Sequence, residues 1–237
     1  MKHVRLAALA VLVVGFGASV AEGAGLTQAK IALHLTTPPA KNTTSTICNV
    51  VSPDTLRVPC SNYVVSGAIN TSYLMYLVVA GIPTLNDTLS SGVTGITLGI
   101  KYTGGLNGIH ISQWTTCSDL EFPNGTPQWP ESGGGNIITW TECHGTVIPP
   151  DGVHRMVGAF SVYAYGADTF QITTNNNIGV PALQVANCAG AQIDVDPLAA
   201  GFVKFGGAPG CDPCLPPNSC PVPVAPTTWG KIKNLYH

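Results

Sequence analysis

Between residues 30 and 205, apolar and polar positions alternate with a period of two in one short run after another, the repeat of a pleated strand. In Lys30 to Thr37, Ile31, Leu33 and Leu35 fall on one face, and Ala32, His34 and Thr36 on the other. Val93 to Tyr102 repeats the pattern, with Ile96, Leu98 and Ile100 aligned and Gly95 and Gly99 interrupting the opposite face, where a bulge or a close approach is expected. Ser72 to Ala80 does not alternate: Tyr73-Leu74-Met75-Tyr76-Leu77-Val78-Val79 is apolar on both faces, as in a central strand of a sandwich. Asn62 to Ala68, Ile109 to Thr115, Asn136 to Thr141, Val153 to Tyr165, Thr169 to Thr174, Leu183 to Ala186, Gln192 to Val195 and Phe202 to Phe205 complete the series. Turn residues separate the runs: Pro53-Asp54, Gly104-Gly105, Asn124-Gly125, Gly133-Gly134-Gly135, Pro149-Pro150-Asp151-Gly152 and Asn175-Asn176-Asn177.

This punctuation predicts an all-β protein, an antiparallel β-sandwich of about ten strands. No stretch before the C-terminal tail carries a helical period, and no internal repeat is evident. The sandwich is expected over residues 25–206. A linker dense in Pro, Gly and Cys follows over 207–226, and then a tail over 227–237. Thr227 or Thr228 suits the cap of a short terminal helix, with Trp229, Ile232, Leu235 and Tyr236 on one face. That face either docks on the parent domain or serves as a partner-binding peptide held out on a semi-rigid Pro-rich spacer.

Residues 1–21 read as a secretory signal peptide. Lys2, His3 and Arg5 precede an apolar stretch, Leu6 to Val20, and Ser19 and Ala21 occupy the small-residue positions before a cut after Ala21. A cut after Gly23, with Ala21 upstream, is the alternative site, and a retained anchor the alternative reading. The apolar stretch is short for a membrane span, and no later segment is long and apolar enough. The expected location is secreted: extracellular, cell surface or periplasm.

Ser72 to Ala80 followed by Gly92 to Tyr102, "YLMYLVVAG" and then "GVTGITLGIKY", resembles the paired strands of cohesin-like and immunoglobulin-like sandwiches in bacterial extracellular proteins. The tail "TTWGKIKNLY" is similar to C-terminal segments of secreted bacterial proteins. The resemblance covers about half the chain. It implies a non-catalytic binding module; cohesins bind dockerins. The many cysteines depart from ordinary cohesins.

Charge narrows the partners. Only 9% of residues are charged, against about 25% in typical domains. Loss of Lys2 and Arg5 with the signal leaves eight basic against twelve acidic residues, a net charge near −4. No basic cluster exists to neutralise phosphates, so a nucleic-acid partner is not expected. The expected partner is a protein or glycan at the cell surface, or a second copy of the chain.

The cysteines are Cys48, Cys60, Cys117, Cys143, Cys188, Cys211, Cys214 and Cys220, an even set that reads as disulfides in an exported chain. Eight cysteines admit roughly a hundred pairings. Local pattern favours Cys48–Cys60 across the Pro53-Asp54 turn and Cys117–Cys143 across a Pro- and Gly-rich loop, leaving Cys188–Cys211 and Cys214–Cys220. Cys211-Asp212-Pro213-Cys214 has the spacing of a redox pair or half a zinc site. However, Leu215-Pro216-Pro217 cannot begin the helix that lowers a redox thiol's pKa, and no histidine lies close in sequence.

The candidate ligand site is the loop from Trp114 to Cys143. Trp114, Trp129 and Trp140 suit stacking on sugar rings or a peptide, and Glu121 and Glu131, with Asp119 and Glu142 nearby, could supply facing carboxylates. A carbohydrate-binding module or weak glycoside hydrolase is therefore the alternative to a non-catalytic structural or binding module. His110 and His144 would meet only if their strands paired. Asp194 and Asp196 offer two carboxylates to calcium, otherwise no cofactor is expected. Asn42, Asn70, Asn86 and Asn124 begin glycosylation sequons.

Overall fold

Thirteen strands form among the residues that the computed structural model describes, namely 29–38, 47–48, 59–81, 92–145, 147–148, 152–215 and 220–221. The expected signal peptide, the sequons at Asn42 and Asn86, and the tail with Trp229, Ile232, Leu235 and Tyr236 lie outside them. In chain order the strands are β1 (Lys30–Thr36), β2 (Ser66–Gly67), β3 (Thr71–Gly81), β4 (Val93–Lys101), β5 (Ile109–Thr116), β6 (Leu120–Asn124), β7 (Gly135–His144), β8 (Val147–Ile148), β9 (Gly152–Ala164), β10 (Asp168–Thr173), β11 (Gln184–Asn187), β12 (Gln192–Asp194) and β13 (Phe202–Phe205).

They make two sheets. In the first the order is β1-β3-β9-β5, with β8 on the end of β9. In the second, β4 is central. β7 and then β6 lie on one side of it, and on the other β11–β12 follow its first half and β10–β13–β2 its last residues. All pairings are antiparallel except β13 with β2. Asn62 to Ala68, expected as a strand, is a short 3-10 turn at Cys60–Asn62 followed by the two-residue β2.

The alternating runs point one face of each sheet inward. Leu33, Met75, Leu77, Val79 and Phe160 of the first sheet meet Ile96, Leu98, Ile100, Phe170, Ile172 and Phe205 of the second in one buried core. Two bulges bend the first sheet: pairing slips between Leu77 and Val78 against β9, and between Ile111 and Gln113 on β5.

The double-sided apolar character of β3 has a specific cause. Its outer face, Leu74, Tyr76, Val78 and Ala80, is covered by a second apolar layer containing Ile47, Cys60 and Tyr63, with Ala32 and Met156 from the flanking strands. Keeping each such large side chain from water contributes about 1.5–3 kcal/mol. This cover is what the disulfides hold. Cys48 is bonded to Cys117 at the end of β5, and Cys60 to Cys214, which carries residues 210–215 onto the body. Gly210 and Cys211 bond the backbone of Val65 and Phe202 there.

The remaining bridges are Cys143–Cys188 and Cys211–Cys220. All four differ from the pairings expected from sequence proximity. Cys48 and Cys60 do not staple a hairpin, because both sit in the covering layer and each reaches a different anchor. Cys143 on β7 and Cys188, in the turn just after β11, flank β4 on either side and close over Gly92, where a Cβ would fall 2.1 Å from the Cys188 sulfur and 2.4 Å from that of Cys143. Cys211 and Cys214 are bonded to different partners, so the CxxC is not a redox pair.

Candidate functional site

β5 is the edge of the first sheet and β6 the edge of the second, and the turn at Cys117-Ser118-Asp119 joins them. That turn is tied down on every side. The Cys117 carbonyl accepts from the Trp140 indole N–H at 2.8 Å and the Arg155 guanidinium at 3.3 Å. The Asp119 carboxylate accepts from the backbone N–H and hydroxyl of Thr141, both at 2.7 Å. These two donors hold the Asp119 carboxyl below the usual carboxylate range. Desolvation lowers the nearby His144, with the Arg155 charge the next cause.

A cleft of about 420 Å³ opens between the two edges. Ile111, Ser112, Gln113 and Trp114 of β5 form one wall, Glu121 and Pro123 of β6 the other, and Tyr102, Trp129, Pro130 and Glu131 close its end. Along β6 the strand period sends Glu121 and Pro123 into the cleft. Leu120 and Phe122 project the other way, each 53% exposed.

The walls are fixed by directed bonds. Trp114 Nε1 donates to Glu121 Oε2 at 2.9 Å, and Asn136 Nδ2 donates to the same oxygen at 3.0 Å. The Trp114 ring lies against Phe160 at 4.4 Å between centroids and meets Trp129 edge-on at 5.2 Å. Gly158 of β9 makes this possible, since a Cβ there would fall 2.4 Å from Trp114 Cη2. The loop carrying Trp129 is anchored to β4: Gly133 N–H donates to the Ile100 carbonyl, Ile100 N–H to the Gly134 carbonyl, and the Tyr102 hydroxyl to the Pro130 carbonyl at 3.0 Å. Burial, then the Glu131 charge, pushes the Tyr102 phenol up, which keeps it a neutral donor.

The structure therefore gathers four of the five expected site residues, Trp114, Trp129, Glu121 and Glu131, around one cleft. Trp140 is elsewhere. It is 5% exposed and packs under the Arg155 guanidinium, 5.1 Å from its ring centroid. Trp129 is 7% exposed. Neither ring offers an open face for a sugar, because both have been recruited to pack the sheets. The loop owes its order to β4 and Tyr102, and not to a Cys117–Cys143 bridge. Tyr102 and Gln113 were missed in the sequence. Tyr102 ends a strand and reads as core, and β6 itself was read as loop because Pro123 interrupts a run of only five residues.

Other expected constellations are not assembled. His110 lies on β5 opposite Tyr163 and His144 on β7 opposite Val93, in different sheets. Asp194 accepts from Gln184 Nε2 at 2.8 Å and Asp196 caps the 3-10 turn at Pro197–Ala199 through Leu198 N–H. Among the described residues no further acidic, His or Cys group joins them to hold a metal. The one such cluster is Cys60, Asp212 and Cys214, where the two sulfurs are bonded to each other.

No protein-family model matches the sequence, and no curated protein does. Among solved structures, the chain is similar to a cohesin module of a family 33 glycoside hydrolase from Clostridium perfringens. Identity is 14% and the TM-score 0.38, over 60% of this chain and 90% of that one. It is also similar to the sixth cohesin of scaffoldin B from Acetivibrio cellulolyticus, solved in complex with a Cel5 dockerin. There identity is 12% and the TM-score 0.38, over 60% and 94%. These neighbours are cohesin modules, in line with the loose cohesin-like resemblance expected from residues 72–80 and 92–102.

Proposed function

We propose that this chain is an exported, non-catalytic binding module that recognises a cationic side chain of a protein partner in the cleft between β5 and β6. The observation that carries the reading is the composition of that cleft. It joins two carboxylates, Glu121 and Glu131, to the aromatic rings of Trp114 and Tyr102. None of the described cations, Lys30, Lys101, Arg155 and Lys204, lines it. Carboxylates beside aromatic rings are what an ammonium or guanidinium group requires. A protein partner is favoured over a free small molecule because Leu120 and Phe122 stand exposed on the opposite face of the same edge strand, an apolar surface that a partner reaching past the edge can cover.

The oxidised cysteine framework supports export, since such bridges persist in oxidising compartments. With it go cleavage of residues 1–21 and a location at the cell surface, in the extracellular space or in the periplasm. The non-catalytic reading rests on the commitments of Glu121. Its Oε2 already receives two donors, and no histidine or cysteine lines the cleft to form a nucleophile and base.

Chemical-shift mapping tests the site. N-acetyl-arginine amide and N-acetyl-lysine amide, titrated into the purified chain, are expected to shift resonances of Tyr102, Gln113, Trp114 and Glu131. Cellotetraose is the neutral comparator. Shifts with the sugar alone would return the site to carbohydrate binding, and no shifts with any probe would remove it as a binding site.

A further inference from the structure

We propose that the occupant of the β5–β6 cleft is a lysine of residues 222–237 from a second copy of this chain, so that copies join head to tail. The inference rests on the cationic specificity just proposed and adds the identity of the partner. The two surfaces are complementary in charge. Residues 222–237 hold Lys231 and Lys233 and no Asp or Glu, whereas the cleft presents Glu121 and Glu131. Trp229, Ile232 and Leu235 of the same segment would supply an apolar contact for Leu120 and Phe122, exposed on the other face of the edge strand that carries Glu121.

The point at which the chain leaves the body also favours a neighbouring copy. The described residues end at Pro221, just after Cys220, whose N–H donates to the Leu198 carbonyl and whose sulfur is bonded to Cys211. That anchor lies beside β1: Ala200 bridges Ile31 and Gly201 donates to the Ile31 carbonyl. β1 is one edge of the first sheet and β5 is the other, with β3 and β9 between them. The segment therefore departs from the edge opposite the cleft. Its first residues, Val222-Pro223-Val224-Ala225-Pro226, have the composition of a semi-rigid spacer. Sixteen residues extend to about 55 Å at most. This is ample to reach a neighbour. A contact between two different surfaces of one chain is heterologous, and it propagates into rings or linear arrays instead of closing as a two-fold dimer.

Sedimentation velocity on the full chain, over a range of concentrations and at low salt, reads the outcome. Glu131→Lys changes an exposed side chain and leaves the Glu121 bonds in place; Lys231→Glu with Lys233→Glu changes only the segment. The wild-type chain is expected to gain mass with concentration. Each charge variant alone is expected to associate at least about tenfold more weakly. An equimolar mixture of the two variants is expected to recover association between unlike chains, because the acidic cleft of the segment variant then meets the intact lysine segment of the Glu131→Lys chain. A monomeric wild type, or a charge variant that associates as the wild type does, overturns the proposal. If the wild type is monomeric while the arginine and lysine amides still shift the cleft resonances, self-recognition alone falls. If those shifts are absent as well, the cationic reading falls with it.

Discussion

The indole N–H of Trp114 and the carboxylate of Glu121 meet at 2.9 Å, and this bond joins the edge strands of the two sheets across the cleft. It fixes the carboxylate of the β6 wall and turns the Trp114 ring against Phe160 and Trp129. The cleft is therefore preorganised, and its shape does not await a partner.

Trp114→Phe removes the donor while retaining most of the ring. Glu121 keeps its Asn136 donor. The expected cost is about 1–2 kcal/mol in urea unfolding, together with weaker binding of cationic probes. Unchanged stability would mean that the bond contributes little to holding the two edges.

The covering layer predicts a specific disulfide map. Proteolysis without reduction should yield peptides linking Cys48 to Cys117, Cys60 to Cys214, Cys143 to Cys188, and Cys211 to Cys220. Replacing Cys60 and Cys214 together by Ala opens the longest loop, of 154 residues. This should cost up to about 5 kcal/mol and expose the apolar outer face of β3 to a hydrophobic dye. A map with Cys48 bonded to Cys60 would contradict the layer.

Asp168 sits at the start of β10 and accepts backbone N–H bonds from Thr103, Gly104, Ile109 and Thr169. It shapes the whole connection between β4 and β5. Asp168→Ala leaves these donors without their partner, and a loss of about 2–4 kcal/mol is expected. Thermal unfolding measures it, with Asp168→Asn expected to recover part of the loss.

Acid should weaken the covering layer through His34. This side chain is 7% exposed, accepts from Val64 N–H at 2.9 Å through Nδ1, and lies 5.0 Å from the Tyr63 ring. Burial lowers its pKa from 6.5 to about 4. The unfolded chain therefore takes up a proton below pH 6.5 that the folded chain resists until about pH 4. Stability from this group is complete above pH 6.5 and declines as the pH falls through that window, by up to about 3 kcal/mol. His144, lowered in the same direction, adds to the slope. Asp119, lowered by its Thr141 donors, loses its contribution only at more acid pH. Urea midpoints at pH 7 and pH 5 should differ for the wild type and differ much less for His34→Gln. An equal difference in both would remove His34 as the cause.

The sandwich was legible because burial imposes period two, and Ile31, Leu33 and Leu35 of β1 and Ile96, Leu98 and Ile100 of β4 keep it at their core-facing positions. The covering layer was not. The apolar outer face of β3 signalled burial on both sides, but nothing local says that Ile47 and Tyr63 supply the cover. For the same reason proximity in sequence misled the cysteine pairing. Trp114, Glu121, Trp129 and Glu131 were visible as a cluster of useful residue types. Which ring would be buried depended on Gly158 and on the anchoring of Gly133 and Gly134 to β4, and these are relations between distant segments.

The most direct test of the cleft's role is the affinity of a labelled, otherwise neutral arginine-containing peptide for the wild-type chain and for Glu131→Gln, read by fluorescence anisotropy. Glu131 is exposed on the rim, so its neutralisation should leave the fold intact. The account predicts roughly tenfold weaker binding by Glu131→Gln, and progressive loss of wild-type binding with salt. Equal affinity for both proteins at low salt would contradict it.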